Sequence, residues 1–473
     1  MWHYISPAKN AKSSFLTQNP RFRRWITVLT VEDGFDDPAL SQALRVPSQY
    51  PTIQAAIDDA NDGDTVLVAP GTYTGDGNRD IEFKGKAITV RSEAGPETCI
   101  IDCQGSQAEN HRGFCFIENE DHRSVLKGFT ISNGYVSYIV TPDSDGKSGG
   151  GIFCHYLASP TIENCVLENN YAYSGGGGIT CRNAIIKSCI LRHNAVESGY
   201  SGHGYGGINC GPATIVNCVV TDNVGGGIGC GFATIMSSLV ARNQGGGISV
   251  FAGADAFIRN CTIVSNHSQF FGGGLYFPPG SAGREGSIIS SCIIWDNTAD
   301  LGGDQIGASN DPRGGPRRTS TVSFRYCFIQ SGPDAGYWPE HDWEDTLKEG
   351  IILQANPGFA DPNNGHYHLK SQAGRWDPNN QTCVQDDATS PCIDAGDPNS
   401  PIGYEPFPNG GIVNLGAYGG TAEASKSYFG EPLCETIIAG DINGDCKVDF
   451  KDLQIMALQW GTAIDTGSDA SGR

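Results

Sequence analysis

The chain has 473 residues, a formal charge of −21, 64 glycines and 17 cysteines, and 38% of its residues are hydrophobic. That length allows up to three ordinary domains. The charge excludes a nucleic-acid ligand, which needs clustered lysine and arginine, and repels a polyanion unless a basic patch or bridging cation intervenes.

Along the chain, residues 1–45 come first. Within them RFRRWITVLTV (21 to 31) has a basic flank and a short apolar run but no cleavage site of small residues, so this segment is expected to be disordered or the remnant of an export signal. No continuous apolar stretch reaches the roughly 18 residues that a spanning helix needs. Residues 46 to 75, VPSQYPTIQAAIDDANDGDTVLVAPGTYTG, read as a strand, a helix from Ile53 to Ala60, an Asp-Gly turn, a strand from Thr65 to Val68 and a Pro-Gly turn.

A repeat then takes over. Its first apolar column is Ile152, Ile179, Ile208, Ile228, Ile248 and Leu275, at spacings of 27, 29, 20, 20 and 27 residues. A second column holds Ile162, Ile186, Ile215, Ile235, Ile258, Ile289 and Phe324. Three residues on stand Cys165, Cys189, Cys218, Ser238, Cys261, Cys292 and Cys327, and five further on Asn170, Asn194, Asn223, Asn243, Asn266 and Asn297. The segment SVLKGFTISN reads as an earlier, degenerate copy with Val125 and Asn133 in these columns. Units this short cannot hold a core alone and must stack to bury their apolar faces.

Alternation predicts Ile228 and Cys230 inward on one strand, Ile235 on a second, and Ser238 and Val240 inward on a third. Gly and Asn corners, which tolerate positive φ, would close these strands into a triangular coil. The cysteines are expected to pack as small buried groups with free thiols, and the asparagines to form a turn ladder at a left-handed corner. The pairs Cys99–Cys103, Cys383–Cys392 and Cys434–Cys446 are the disulfide candidates.

Residues 46–330, with the opening helix and FKGKAITVRSEAGPETCIIDC, resemble pectin-lyase-like right-handed parallel β-helix proteins, in which a short helix caps the first coil. The resemblance implies an all-β fold with three short strands per coil. The catalytic patterns of related families match poorly. Gly202-His203-Gly204 stands without the other polygalacturonase motifs, and Glu344-Asp345-Thr346-Leu347 departs from the pectin methylesterase pattern and lies outside the repeat.

Insertions cluster after the Asn column and should pile up along one edge to wall a groove. They carry Tyr135, Tyr138, Tyr171, Tyr173, Tyr200, His203, Tyr205, Phe270 and Phe271, aromatic faces of the kind on which sugar rings stack. One position before the Asn column, His193, Asp222 and Arg242 come from successive coils. They could serve as base, acid and anion stabiliser; the plainer reading is a charge ladder that relieves like-charge stacking.

Residues 331–430 suit irregular coils or a cap over the last coil. In residues 431–473, GDINGDCKVDFKDLQIMALQWG (440 to 461) places Asp441, Asn443, Asp445, the Lys447 carbonyl, Asp449 and Asp452 at the ligand spacing of an EF-hand-type loop for Ca²⁺. This element resembles a dockerin repeat, which implies a cohesin-like partner, although Cys446 replaces the usual glycine and one copy is visible.

The expectation is therefore a monomeric β-helix at the cell surface or outside the cell that engages polysaccharide along a lateral groove. It would cleave the glycan as a pectate-lyase-like or glycoside-hydrolase-like enzyme, or hold it as a non-catalytic adhesive or structural cell-envelope protein.

Overall fold

The computed structural model describes residues 43–137, 147–197, 204–251, 253–277, 286–308, 322–332, 348–351, 356–429 and 448–454. Three long parallel sheets of 12, 10 and 9 strands hold the coils together. Successive coils pair residue on residue: Ile208 on Ile228 on Ile248, Ile215 on Ile235 on Ile258, and Val220 on Val240 on Ile263. The fold is a parallel β-helix, and each inward column is buried, as the alternation requires.

The first coil is covered by a helix over Ile53–Asp59. Thr52 caps it by accepting a hydrogen bond from the Ala55 N–H at 3.2 Å, and its buried face is Ile53, Ala56 and Ile57. Where insertions follow the Asn column, the coil gains a fourth, two-residue side. Tyr135–Val136, Tyr171–Ala172 and Ala195–Val196 pair in one small parallel sheet, and His267–Ser268 pairs with Thr298–Ala299 in another.

The corners differ from the expectation in one respect. The left-handed residues are those just before the Cys and Asn columns, such as Ser237 (φ 46°) and Arg242 (φ 54°), and not the column asparagines from Asn170 to Asn297. The asparagines of the column turn inward instead, because a buried amide can satisfy four backbone or side-chain groups there. The Asn223 Nδ2 donates to the Leu191 carbonyl at 3.0 Å and to the Asn243 Oδ1 at 2.9 Å, while its Oδ1 accepts from the N–H and Nδ2 of Asn194. The same pattern runs from Asn170 to Asn297, where Gln305 takes over.

SVLKGFTISN is a true coil, but one residue out of the expected register. Leu126 pairs with Ile162, and Asn133 is the left-handed corner (φ 57°), so the Gly134 N–H feeds Asn170.

The ladder cysteines are buried thiols. Cys189, Cys218, Cys261 and Cys292 each donate to a carbonyl of the preceding coil at 3.5–3.6 Å, and burial pushes the Cys230 thiol up to about 12. Cys99, Cys103, Cys383 and Cys392 are free as well, and Cys434 and Cys446 lie outside the described residues.

The segment from Phe359 to Ser427 lies against the side of the coils, where the sequence suggested a cap over the last one. Tyr367, Leu369, Ile393 and Leu415 pack on Leu239, Val264, Ile293 and Phe328, the outward residues of the third strand. The cause is legible in those residues. Upstream coils present Glu168 and Arg192 to water at this face, as an ion pair of 2.7 Å, whereas later coils present Ala241, Val264 and Trp295. The bare apolar face needs a cover. The hydrogen bonds Asn260 Nδ2 to Asn414 O and Ala417 N to Thr262 Oγ1, both 3.0 Å, fix the cover in register.

Candidate functional site

The nine-stranded sheet, whose strands from Ile152 onward each follow a run of glycines, is the Gly-strand sheet, and its outward residues lie in one column: Phe153, Thr180, Asn209, Gly229 and Ser249. Beside this column the turns that follow each strand rise into a cleft of about 460 Å³. Five successive coils build it, so at about 4.8 Å per coil it extends roughly 19 Å along the helix axis. One end is formed by Phe153 and Tyr156 and the other by Phe232 and Phe251, with Arg182 and Asn209 on the floor between them.

Glycines shape this floor. At Gly211 a Cβ would sit 3.4 Å from the Arg182 stem, and at Gly229 one would sit 2.2 Å from the Tyr205 ring. The missing side chain at Gly229 is what lets Tyr205 lie flat on the next coil, buried, with its ring 5.7 Å from Phe251. Tyr205 thus braces the cleft from behind. Tyr156 is 54% exposed and Phe232 44% exposed, and Phe232 holds φ 56°, a left-handed conformation that bulky residues rarely adopt. Exposed aromatics in a concave site suit the apolar faces of sugar rings, and a guanidinium and an amide suit their oxygens.

The aromatic wall expected after the Asn column is divided by the structure. Tyr135 and Tyr171 stack with centroids 4.4 Å apart and planes at 15°, and the Tyr171 hydroxyl donates to Glu197 at 2.7 Å. Burial and this carboxylate together push the Tyr171 hydroxyl well up. Tyr173 stands half-buried on the same edge. Tyr205 is buried behind the cleft and does not line it, and Phe270 is exposed on a later coil beside half-buried Phe271. Tyr138, Tyr200 and His203 lie outside the described residues.

Two polar residues on the Tyr135 edge escaped the sequence reading because they precede the recognised repeat. The His111 Nδ1 lies 2.6 Å from the Asp80 Oδ2, and the His111 backbone bridges Tyr135. Asp80 is at φ 51°, and that outlier is visible only in the backbone.

His193, Asp222 and Arg242 occupy the left-handed corner, turned outward as their charge suggested. None of them lines the cleft. The Arg242 Nε and Nη2 grip Asp222 at 2.9 and 2.7 Å, and Nη1 reaches the Tyr367 hydroxyl at 3.4 Å. Burial pushes the Asp222 carboxyl up, but the hydrogen bonds and charge of Arg242 outweigh it and hold the group below the usual carboxylate range, with a smaller contribution from exposed His193. A guanidinium committed on both edges to Asp222 and Tyr367 ties the C-terminal segment to the coils. Asp222→Asn should therefore cost about 1 kcal/mol, a modest amount because both groups remain partly solvated. Chemical denaturation checks this, and a loss above about 3 kcal/mol would contradict a screened pair.

Of the C-terminal loop, Asp441, Asn443, Asp445 and Lys447 lie outside the described residues. Asp449 and Asp452 stand where the loop meets a helix that begins at Phe450. The Asp449 N–H donates to the Asp452 Oδ2 and the Lys451 N–H to the Asp449 Oδ1, each at 2.7 Å. These two bonds cap the start of that helix.

A family model described as disaggregatase related matches residues 346–396. No curated protein matches the sequence. Among solved structures, pectate lyase Pel9A is similar at a TM-score of 0.45 and 16% identity, covering 80% of this chain and 95% of that one. The A-module of the Azotobacter vinelandii mannuronan C-5 epimerase AlgE6 is similar at 0.34 and 13%, covering 64% and 94%. The PL6 family alginate lyase AlyGC follows at 0.27 and 15%, covering 74% and 57%.

Proposed function

We propose that the protein binds polysaccharide in the cleft on its Gly-strand face, at the cell surface or outside the cell, and holds it without cleaving it. The observation that carries this reading is the pair of aromatic ends, Phe153 with Tyr156 and Phe232 with Phe251, around a floor in which none of the described lining residues is acidic or histidine. Glycoside hydrolysis needs paired carboxylates at the scissile bond, and proton abstraction needs a base within hydrogen-bond reach. Stacking platforms and a few oxygen-seeking groups are what retention needs. The loop from Asp441 to Asp452 supplies attachment in this reading: with Ca²⁺ held by its oxygens, the following helix would meet a cohesin-like partner.

The test is a polysaccharide panel titrated against the protein and the variants Tyr156→Ala and Phe232→Ala. Each variant should weaken binding roughly tenfold or more, the usual cost of truncating an aromatic anchor. Equal affinity in all three proteins removes the cleft from the reading. The same panel should show neither new reducing ends nor unsaturated products.

A second reading is favoured by one observation, the His111–Asp80 pair beside the Tyr135–Tyr171 stack. If products do form, His111→Asn should abolish them while glycan binding at the cleft persists.

A further inference from the structure

The cleft holds one charged residue among its described lining, Arg182, in a chain whose formal charge is −21. Arg182 is exposed, and no carboxylate or carbonyl engages its guanidinium among the described residues. Arginines on the sides of the coils are placed otherwise: Arg192 and Arg242 are each held by a carboxylate of the preceding coil at 2.7 Å.

Backbone fixes where that free charge stands. The Gly211 N–H donates to the Cys181 carbonyl at 3.1 Å, and the Asn183 Nδ2 donates to the Tyr156 carbonyl at 3.4 Å, so the turn of Arg182 is tied to the coils on both sides. A Cβ at Gly211 would meet the Arg182 Cγ at 3.4 Å, and at Gly231 one would meet the Phe251 ring at 3.3 Å. Two bare positions in succession leave the floor open from the Arg182 stem to Phe251. Arg182 stands one coil from Tyr156 but two from Phe232, about 5 and 10 Å along the axis, so the charge lies nearer one aromatic end.

A ligand that fills this floor meets three conditions. Its sugars must present apolar faces at the two ends. One oxyanion beside the Tyr156 end would take charge-assisted hydrogen bonds from the guanidinium, roughly twice as strong as those to a neutral hydroxyl. Further anions along the floor would find no second cation among the described lining residues and would face the field of an acidic molecule.

We infer that the cleft selects a glycan that is neutral along most of its length and carries a single oxyanion substituent, a carboxylate or a sulfate ester, next to the sugar on Tyr156. This selectivity rests on the retention of polysaccharide proposed for the same cleft, and adds the sign, number and place of the ligand's charge. Because the cation is off-centre, it also sets which way round the chain lies.

The experiment titrates the full chain with neutral glucan, xylan, mannan and galactan oligosaccharides, with each of these bearing a single carboxylate or a single sulfate ester, and with oligogalacturonate as a dense polyanion. The singly substituted form should bind roughly tenfold tighter than its neutral parent, and the ratio should shrink as salt is added. Arg182→Gln should bring that ratio to about one, Arg182→Lys should keep part of it, and Tyr156→Ala should weaken both forms while leaving the ratio in place. A tighter complex in either oxyanion arm supports the selectivity and names the group that is read. Equal binding of neutral and substituted forms in both arms, a preference that survives Arg182→Gln, or oligogalacturonate as the tightest ligand overturns it, while the retention reading stands wherever Tyr156→Ala still weakens binding. No binding across the panel overturns both.

Discussion

Asn223→Leu should lower stability by about 4 kcal/mol, because it keeps the volume of the side chain and strips the ladder of its hydrogen bonds. The change leaves the N–H and Nδ2 of Asn194 without their shared acceptor and the Leu191 carbonyl without its donor, all in a place closed to water. Each orphaned buried group costs roughly 1–3 kcal/mol, and losses above about 4 kcal/mol belong to a short list of mechanisms of which this is one. Denaturant midpoints of Asn223→Leu and of Asp222→Asn, one residue away but outside the core, give the comparison. A cost below about 1 kcal/mol at Asn223 would mean that water or a shift of the coil satisfies the stranded groups.

Gly229→Val should cost about 2 kcal/mol and weaken glycan binding roughly tenfold, through a residue that need not touch the ligand. Its Cβ would stand 2.2 Å from the Tyr205 ring, so the ring must leave the coil surface, and Phe251 then loses the brace behind it. The mechanism makes a sharper demand than the size of the loss. In a Tyr205→Ala background the stability cost of Gly229→Val should largely vanish, since the ring it displaces is already gone. Equal costs in the two backgrounds would falsify the bracing role.

The repeat made the coil legible because its columns are physical constraints: Ile at 228 and 235, Ser238 and Val240 had to alternate inward, and they do. The corner was misassigned by one residue, since Asn is at home both in left-handed turns and in buried amide stacks and sequence spacing cannot separate the two. The helix expected from Ile53 to Ala60 is present over Ile53–Asp59, with Ala60 as its C-cap. The site was harder. Attention went to the insertions after the Asn column, whereas the cleft is built from the turns between the first and second strands, six residues long after Cys154 and Val250 and three after Cys181, Cys210 and Cys230. The available signal was chemical: exposed-type turns holding Tyr156, Phe232 and Phe251 where Gly and Asn would serve. Tyr205 was expected on the groove wall, whereas it is buried over Gly229, a bed that could not be known before the register was. The Arg242–Asp222 pair was seen as neighbours, yet its third partner, Tyr367, is 125 residues away in sequence. A contact of that kind leaves no local trace.

The amide ladder has one more consequence. In the bonds between amides, every rung from Asn170 to Asn266 donates to the asparagine of the following coil, so the row has a direction, and any coil inserted whole, with its asparagine in place, continues it unbroken. The twenty-residue coils that begin at Ile208 and Ile228 and carry Asn223 and Asn243 meet that condition with nothing left over. Length is thus a free variable of this molecule: duplicating one such coil would lengthen the cleft floor by about 4.8 Å while leaving both of its aromatic ends intact. A binding surface that can be extended in fixed increments, at no cost to its ends, is matched to ligands that are themselves polymers.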